Sequence, residues 1–89
     1  MLIALIARDK PDALQTRLAN RDAHLAYIRE TDKVAQAGPL LDGDAMIGSL
    51  IILDVADLAE AETWAGDDPY AKAGLFQSVE LIPWKKVIG

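Results

Sequence analysis

Four strand-like segments and two helix-forming stretches alternate in the order strand, helix, strand, strand, helix, strand, and that order predicts an α+β domain of ferredoxin-like type. Three observations carry the prediction. A short apolar run, Met1–Ala7, opens the chain, and a helical period follows Pro11. Turn signals at Gly38-Pro39 and Asp42-Gly43-Asp44 then cut the middle into short pieces. In this βαββαβ architecture two helices cover one face of a four-stranded antiparallel sheet, and residues 1–89 form a single domain.

Met1–Ala7 is apolar and short, and the charged segment that follows it ends in Pro11, which suits a buried strand. From Asp12 to about Asp32 the residues Leu14, Leu18, Leu25 and Ile28 fall at helical spacing and predict a long amphipathic helix, with Pro11 near its first turn. Lys33–Gly38 reads as the second strand, ended by Gly38-Pro39, and the Asp42-Gly43-Asp44 cluster reads as a loop or hairpin turn. Met46–Leu53 is the third strand. Asp57 and Glu60 have the spacing of a capping box, Leu58, Ala61 and Ala65 continue into a short helix, and Gly66 is placed to stop it. Asp68-Pro69 repeats the start signal for one further helical turn, with Gly74 able to end it. Leu75–Trp84 is the last strand, with Val79 and Leu81 on one face and Pro83 taking its end out of the ladder.

Composition narrows the function classes. At 89 residues the chain buries only about 60 to 65% of its unfolded surface, so a lone monomer is marginal unless association adds burial. The hydrophobic fraction is 52%, and Leu2–Ile6 and Leu50–Leu53 are apolar toward both sheet faces. The uncovered face therefore calls for a partner, most simply a second copy in a dimeric α+β barrel, the alternative being a carboxy-terminal tail folded beneath it. There is no cysteine and only one histidine, so disulfides, thiolate chemistry and a tight transition-metal site are not expected. A net charge of −5 disfavours nucleic acid and anionic lipid. The amino terminus is neither a signal peptide nor a span, and a cytoplasmic location is expected.

His24 is the first candidate for chemistry, because histidine alone changes charge near neutral pH without help from its surroundings. Arg21 stands one turn before it, in a seam where an apolar residue was expected, so it needs an acid, a ligand or a route to solvent. A boundary histidine beside a snorkelling arginine would account for both without function. Asp67 and Asp68 follow the second helix, and Asp68 has a structural use as a helix N-cap before proline. Both helices return along the sheet in the same sense, so their carboxy-terminal halves approach one end and can bring an acid to His24. A carboxylate on one imidazole nitrogen would fix the tautomer and leave the other nitrogen for acid-base work. Ser49 beside Gly48 is a further binding candidate, although a strand glycine more often marks a bulge or close packing. Trp64, Tyr70, Phe76 and Trp84 suit either core packing or a cavity wall. No phosphate loop, nucleophile elbow or dinucleotide fingerprint is present.

Taken jointly, these residues resemble the YciI-like (YCII-related) family. The resemblance rests on Arg17, Leu18, Arg21, Ala23, His24 and Leu25, on Ala37-Gly38-Pro39 and on Gly48-Ser49. It continues through Trp64-Ala65, Asp67-Asp68-Pro69-Tyr70, Ala73-Gly74, Val79, Pro83 and Lys86-Val87. It implies a ferredoxin-like dimer with a histidine–aspartate site that maps onto His24 and Asp68. One member removes chloride from a hydroxylated aromatic ring, whereas most have no assigned function. The segment from Leu40 to Ile47 is shorter than in some members, at the rim of the expected pocket. The function expected is a small enzyme without a cofactor, in which His24 oriented by Asp68 moves a proton on a small organic substrate, in a lyase, dehalogenase or isomerase step. Arg21, Ser49 and Tyr70 are the expected substrate contacts. The competing expectation is a dimeric module that binds a metabolite or another protein without turnover.

Overall fold

The computed structural model describes residues 1–89 and begins with strand β1 (Leu2–Asp9), whose alternate side chains Ile3, Leu5 and Ala7 are buried. Helix α1 (Leu14–Thr31) follows, then β2 (Val34–Asp42), β3 (Ala45–Asp54), α2 (Leu58–Asp67), the single turn α3 (Pro69–Lys72) and β4 (Phe76–Trp84). The strands form one antiparallel sheet in the order β2-β3-β1-β4, the ferredoxin-like arrangement expected from the sequence. Inward-facing Ile3, Leu5, Ala7, Ile51 and Leu53 meet Val55, Ala61 and Trp64 in the hydrophobic core. No helix is long and apolar enough to cross a membrane.

Several boundaries move for identifiable reasons. Helix α1 does not start at Asp12, because that residue has φ 56° and lies in a left-handed turn that a right-handed helix cannot include. Pro11 consequently sits in the turn and not in the first helical turn. Strand β2 continues through Gly38-Pro39 to Asp42, where a Gly43-Asp44 turn with Gly43 at φ 59° closes the hairpin to β3. Proline is tolerated there because β2 is an edge strand. The same holds for Pro83, which stays in register opposite Ile3 on the other edge strand, β4, instead of leaving the ladder. Gly66 does not stop α2, which runs one residue further to Asp67. The start of α2 is as expected: Asp57 accepts from the Glu60 N–H at 2.9 Å.

The largest correction concerns α1. The stripe of Leu14, Leu18, Leu25 and Ile28 was expected to face the core, with Arg21 intruding in it. Instead Leu14, Leu18 and Leu25 are exposed, Arg21 lies at the surface, and the buried residues are Arg17 and His24. A helix normally buries its apolar face. Here each buried polar side chain meets a partner on another element, which offsets its desolvation.

Gly48 in β3 marks close packing, for any side chain there would strike the backbone carbonyl oxygen of Ala7 on β1. On the outer face of the sheet Ala4 pairs with Ile52 and Ile82, Ile6 with Leu50, and Leu2 with Trp84. Both helices lie on the opposite face, packed on the core. The carboxy-terminal tail does not supply the missing cover, since Val87 and Ile88 are almost fully exposed.

Candidate active site

The topology brings the end of α2 to the middle of α1, and there His24 Nδ1 meets Asp68 Oδ1 at 2.8 Å. Both side chains are buried, at 6% and 1% exposure for the two residues. Asp68 is the partner of His24, and Asp67 is exposed. The aspartate has two local tasks. As the N-cap of α3 its Oδ1 also accepts from the Tyr70 N–H at 3.0 Å, with Pro69 in the first helical turn. Its Oδ2 is buried without a hydrogen-bond partner. A carboxylate can only accept, so Nδ1 carries the shared hydrogen, and in the neutral imidazole the lone pair is on Nε2. Nε2 has no hydrogen-bond partner within the chain, and His24 lines a cleft of about 230 Å³ between α1 and the β2–β3 half of the sheet.

Arg21 lines this cleft and has no carboxylate partner in the chain, so its charge is directed at solvent and at whatever enters. Leu25, Ile28, Met46 and Ile51 make the apolar walls. Ser49 also lines the cleft, but its Oγ accepts from Arg17 Nη2 at 2.8 Å, which leaves its hydroxyl hydrogen and one lone pair for a ligand. Tyr70 stacks on His24 with ring centroids 3.9 Å apart and planes 14° from parallel. Burial, more than any nearby charge, raises the Tyr70 phenol above its ordinary range, so it remains a neutral phenol at neutral pH. Of the other aromatic candidates, Phe76 meets Tyr70 edge-on at 6.0 Å, Trp64 belongs to the core, and Trp84 is half-exposed on the outer face.

One buried residue at the cleft, Arg17, escaped the sequence reasoning as a site candidate. Arg17 donates from Nε to Asp9 Oδ2 at 2.8 Å and from Nη2 to Asp9 Oδ1 at 3.1 Å, which ties α1 to the end of β1. The available signal was helical phase: Arg17 lies seven residues before His24, on the same side of the helix. Away from the cleft, Tyr27 donates to the Trp64 carbonyl at 2.8 Å. Its phenol is pushed up to about 12, first by burial and then by the carboxylates of Asp67 and Asp68.

The YCII-related domain model matches residues 1–85. The chain belongs to this family. Its members similar to this chain include Protein YciI of Escherichia coli O6:H1, 36% identical over 97 aligned residues that span 98% of this chain and 99% of that protein. An uncharacterised protein of Haemophilus influenzae is 34% identical with the same coverage. Among solved structures, the dehydrochlorinase TftG of Burkholderia phenoliruptrix AC1100, which acts on 5-chloro-2-hydroxyhydroquinone, superposes with a TM-score of 0.87. It is 34% identical over 96% of this chain and 94% of its own, and its structure holds 2,5-dihydroxybenzoquinone. An antibiotic biosynthesis monooxygenase, 14% identical with a TM-score of 0.58 over 97% of this chain and all of its own, shares the fold.

Proposed function

We propose that this YCII-related protein is a small enzyme working without a cofactor, in which His24 transfers a proton on a small anionic substrate. The observation that carries the proposal is the buried 2.8 Å contact between His24 Nδ1 and Asp68, which leaves Nε2 unbonded in a residue that lines a cleft. Geometry of this kind supplies general acid-base catalysis, commonly contributing about 10²–10⁴ in rate. Nε2 takes a proton from the substrate and returns it to another atom, as in an isomerase, or retains it while a neighbouring group departs as an anion, as in a lyase or dehalogenase. Each of these steps is redox-neutral and calls for no external electron acceptor. The likeness to TftG favours the elimination form, and its quinone ligand favours a planar, oxygen-substituted ring. Arg21 is placed to pair with the substrate's charge, and the apolar walls to hold its ring.

We further propose that two copies pair through the outer sheet face, where Ala4, Ile6, Leu50, Ile52, Ile82 and Trp84 are left without a helix. The test of function is a turnover screen of small aromatic and enol-forming acids with wild type and His24→Ala. Wild type is expected to convert at least one compound, and the folded variant none. Equal turnover by the two proteins refutes the assignment of His24. A compound that both bind and return unchanged marks a binding module instead.

A further inference from the structure

Arg17 is 3% exposed, yet nothing in the proton transfer itself requires it. Its Nε and Nη2 donors are turned onto Asp9 and Ser49, and the Asp9 side chain is itself 6% exposed. Arg17 lines the cleft beside Arg21, but its Nε and Nη2 are already held by the carboxylate and the hydroxyl. Fold stability is a poor explanation for such a pair, because desolvating two charges cancels much of their attraction. What the guanidinium does touch is informative. Its Cζ lies 4.8 Å from the centroid of the Tyr70 ring, and that ring stacks on His24 at 3.9 Å. Positions 17 and 24 are separated by a rise of ~10.5 Å along the helix. Both contacts fall on the one phenol ring, which therefore touches side chains two helical turns apart.

We propose that Arg17, fixed by Asp9 and Ser49, is a positioning residue that holds Tyr70 against His24 and so sets the plane of the imidazole. A single hydrogen bond at Nδ1 fixes the direction to Asp68 but leaves tilt about that bond, and the terminal torsion of histidine is intrinsically broad. A stacked ring removes the tilt. Arginine suits this task because its guanidinium is planar, permanently charged and able to fork onto a carboxylate while lying over an aromatic face, which lysine cannot do. The significance for catalysis rests on the proton-transfer role of His24, whereas the predicted geometry is measurable without any substrate.

His24 is the only histidine in the chain, so its Cε1–H and Cδ2–H signals are unique in a proton–carbon correlation spectrum. The Tyr70 stack is expected to displace them upfield, and Tyr70→Leu supplies the unstacked reference. The decisive protein carries Asp9→Asn together with Arg17→Met, so that neither charge is left buried alone. It is expected to unfold cooperatively and to lose most of the upfield displacement; Arg17→Lys, which keeps the charge without the planar face, is expected to lose part of it. With any substrate found in the screen, kcat falls while KM holds. A merely structural role would lower stability and leave the signals in place, so a folded double variant with His24 at its wild-type positions overturns the proposal. If the double variant does not fold, Arg17→Lys at wild-type positions overturns it equally. Turnover retained by His24→Ala removes the catalytic reading and leaves these spectral shifts unaffected, so the two failures are distinguishable.

Discussion

Asp68 joins the fold and the candidate chemistry, and replacing it separates the two. In Asp68→Ala the α3 N-cap is lost, at about 1 kcal/mol. The His24 Nδ1–H is left buried without an acceptor, at about 1–3 kcal/mol. Loss of the unpartnered Oδ2 returns a fraction of this, so a net destabilisation of about 1–3 kcal/mol is expected. For a domain of this size that lowers Tm by roughly 5–25 °C. Asp68→Asn keeps an acceptor for both donors, and its amide nitrogen occupies a position that already lacks a partner, so its stability should stay within about 1 kcal/mol of wild type. Loss of the carboxylate charge should nevertheless lower turnover on the order of 10²–10⁴. Urea unfolding of the three proteins gives the stability differences, and the substrate screen gives the activity. Asp68→Ala unfolding within 1 kcal/mol of wild type would refute the reasoning, since neither bond could then be holding the fold.

Three other outcomes are expected. Unfolded tyrosine releases its proton near pH 10, whereas folded Tyr27 holds it to about 12; the unfolded chain therefore binds fewer protons in that window, and stability falls as pH rises through it. Absorbance at alkaline pH should show no tyrosine titrating at the ordinary value, because Tyr70 is raised as well; a normal titration in the folded protein contradicts both placements. Gly48→Ala drives a methyl group into the Ala7 carbonyl on the central strand and should cost about 3 kcal/mol or more, read as a fall in Tm of more than about 10 °C. Ile82→Asp puts a charge on the outer sheet face and should yield a folded monomer in sedimentation experiments, whereas a wild-type chain that is already monomeric at high dilution removes the proposed pairing.

The architecture was legible because its signals are local. Apolar strands, a periodic helix and aspartates before helix starts each act over a few residues, and Asp57 and Asp68 cap their helices as their spacing suggests. The approach of the Asp67-Asp68 loop to His24 followed from topology, which sends both helices the same way along the sheet, whereas the choice of Asp68 over Asp67 rested on the family resemblance. The buried face of α1 was not legible, because periodicity ranks side chains by hydrophobicity alone. Arg17 and His24 are buried by partners 8 and 44 residues away, while Leu14 and Leu18 are left outside. Strand ends were misplaced for a related reason: Gly38-Pro39 and Pro83 interrupt a central strand but not an edge strand, and position in the sheet is not written in a local segment.

Those two prolines also govern how the molecule can grow. The edges of an open sheet are templates on which further strands can add without limit. Pro39 and Pro83 each remove a donor from the two edge strands, so neither edge offers an unbroken row of hydrogen bonds to a newcomer. Lateral extension into a continuous ribbon is thereby discouraged at both borders of the sheet. Its broad face remains open for contact, and packing through a face closes after two copies, so the same sequence that permits a finite assembly resists a fibrous one.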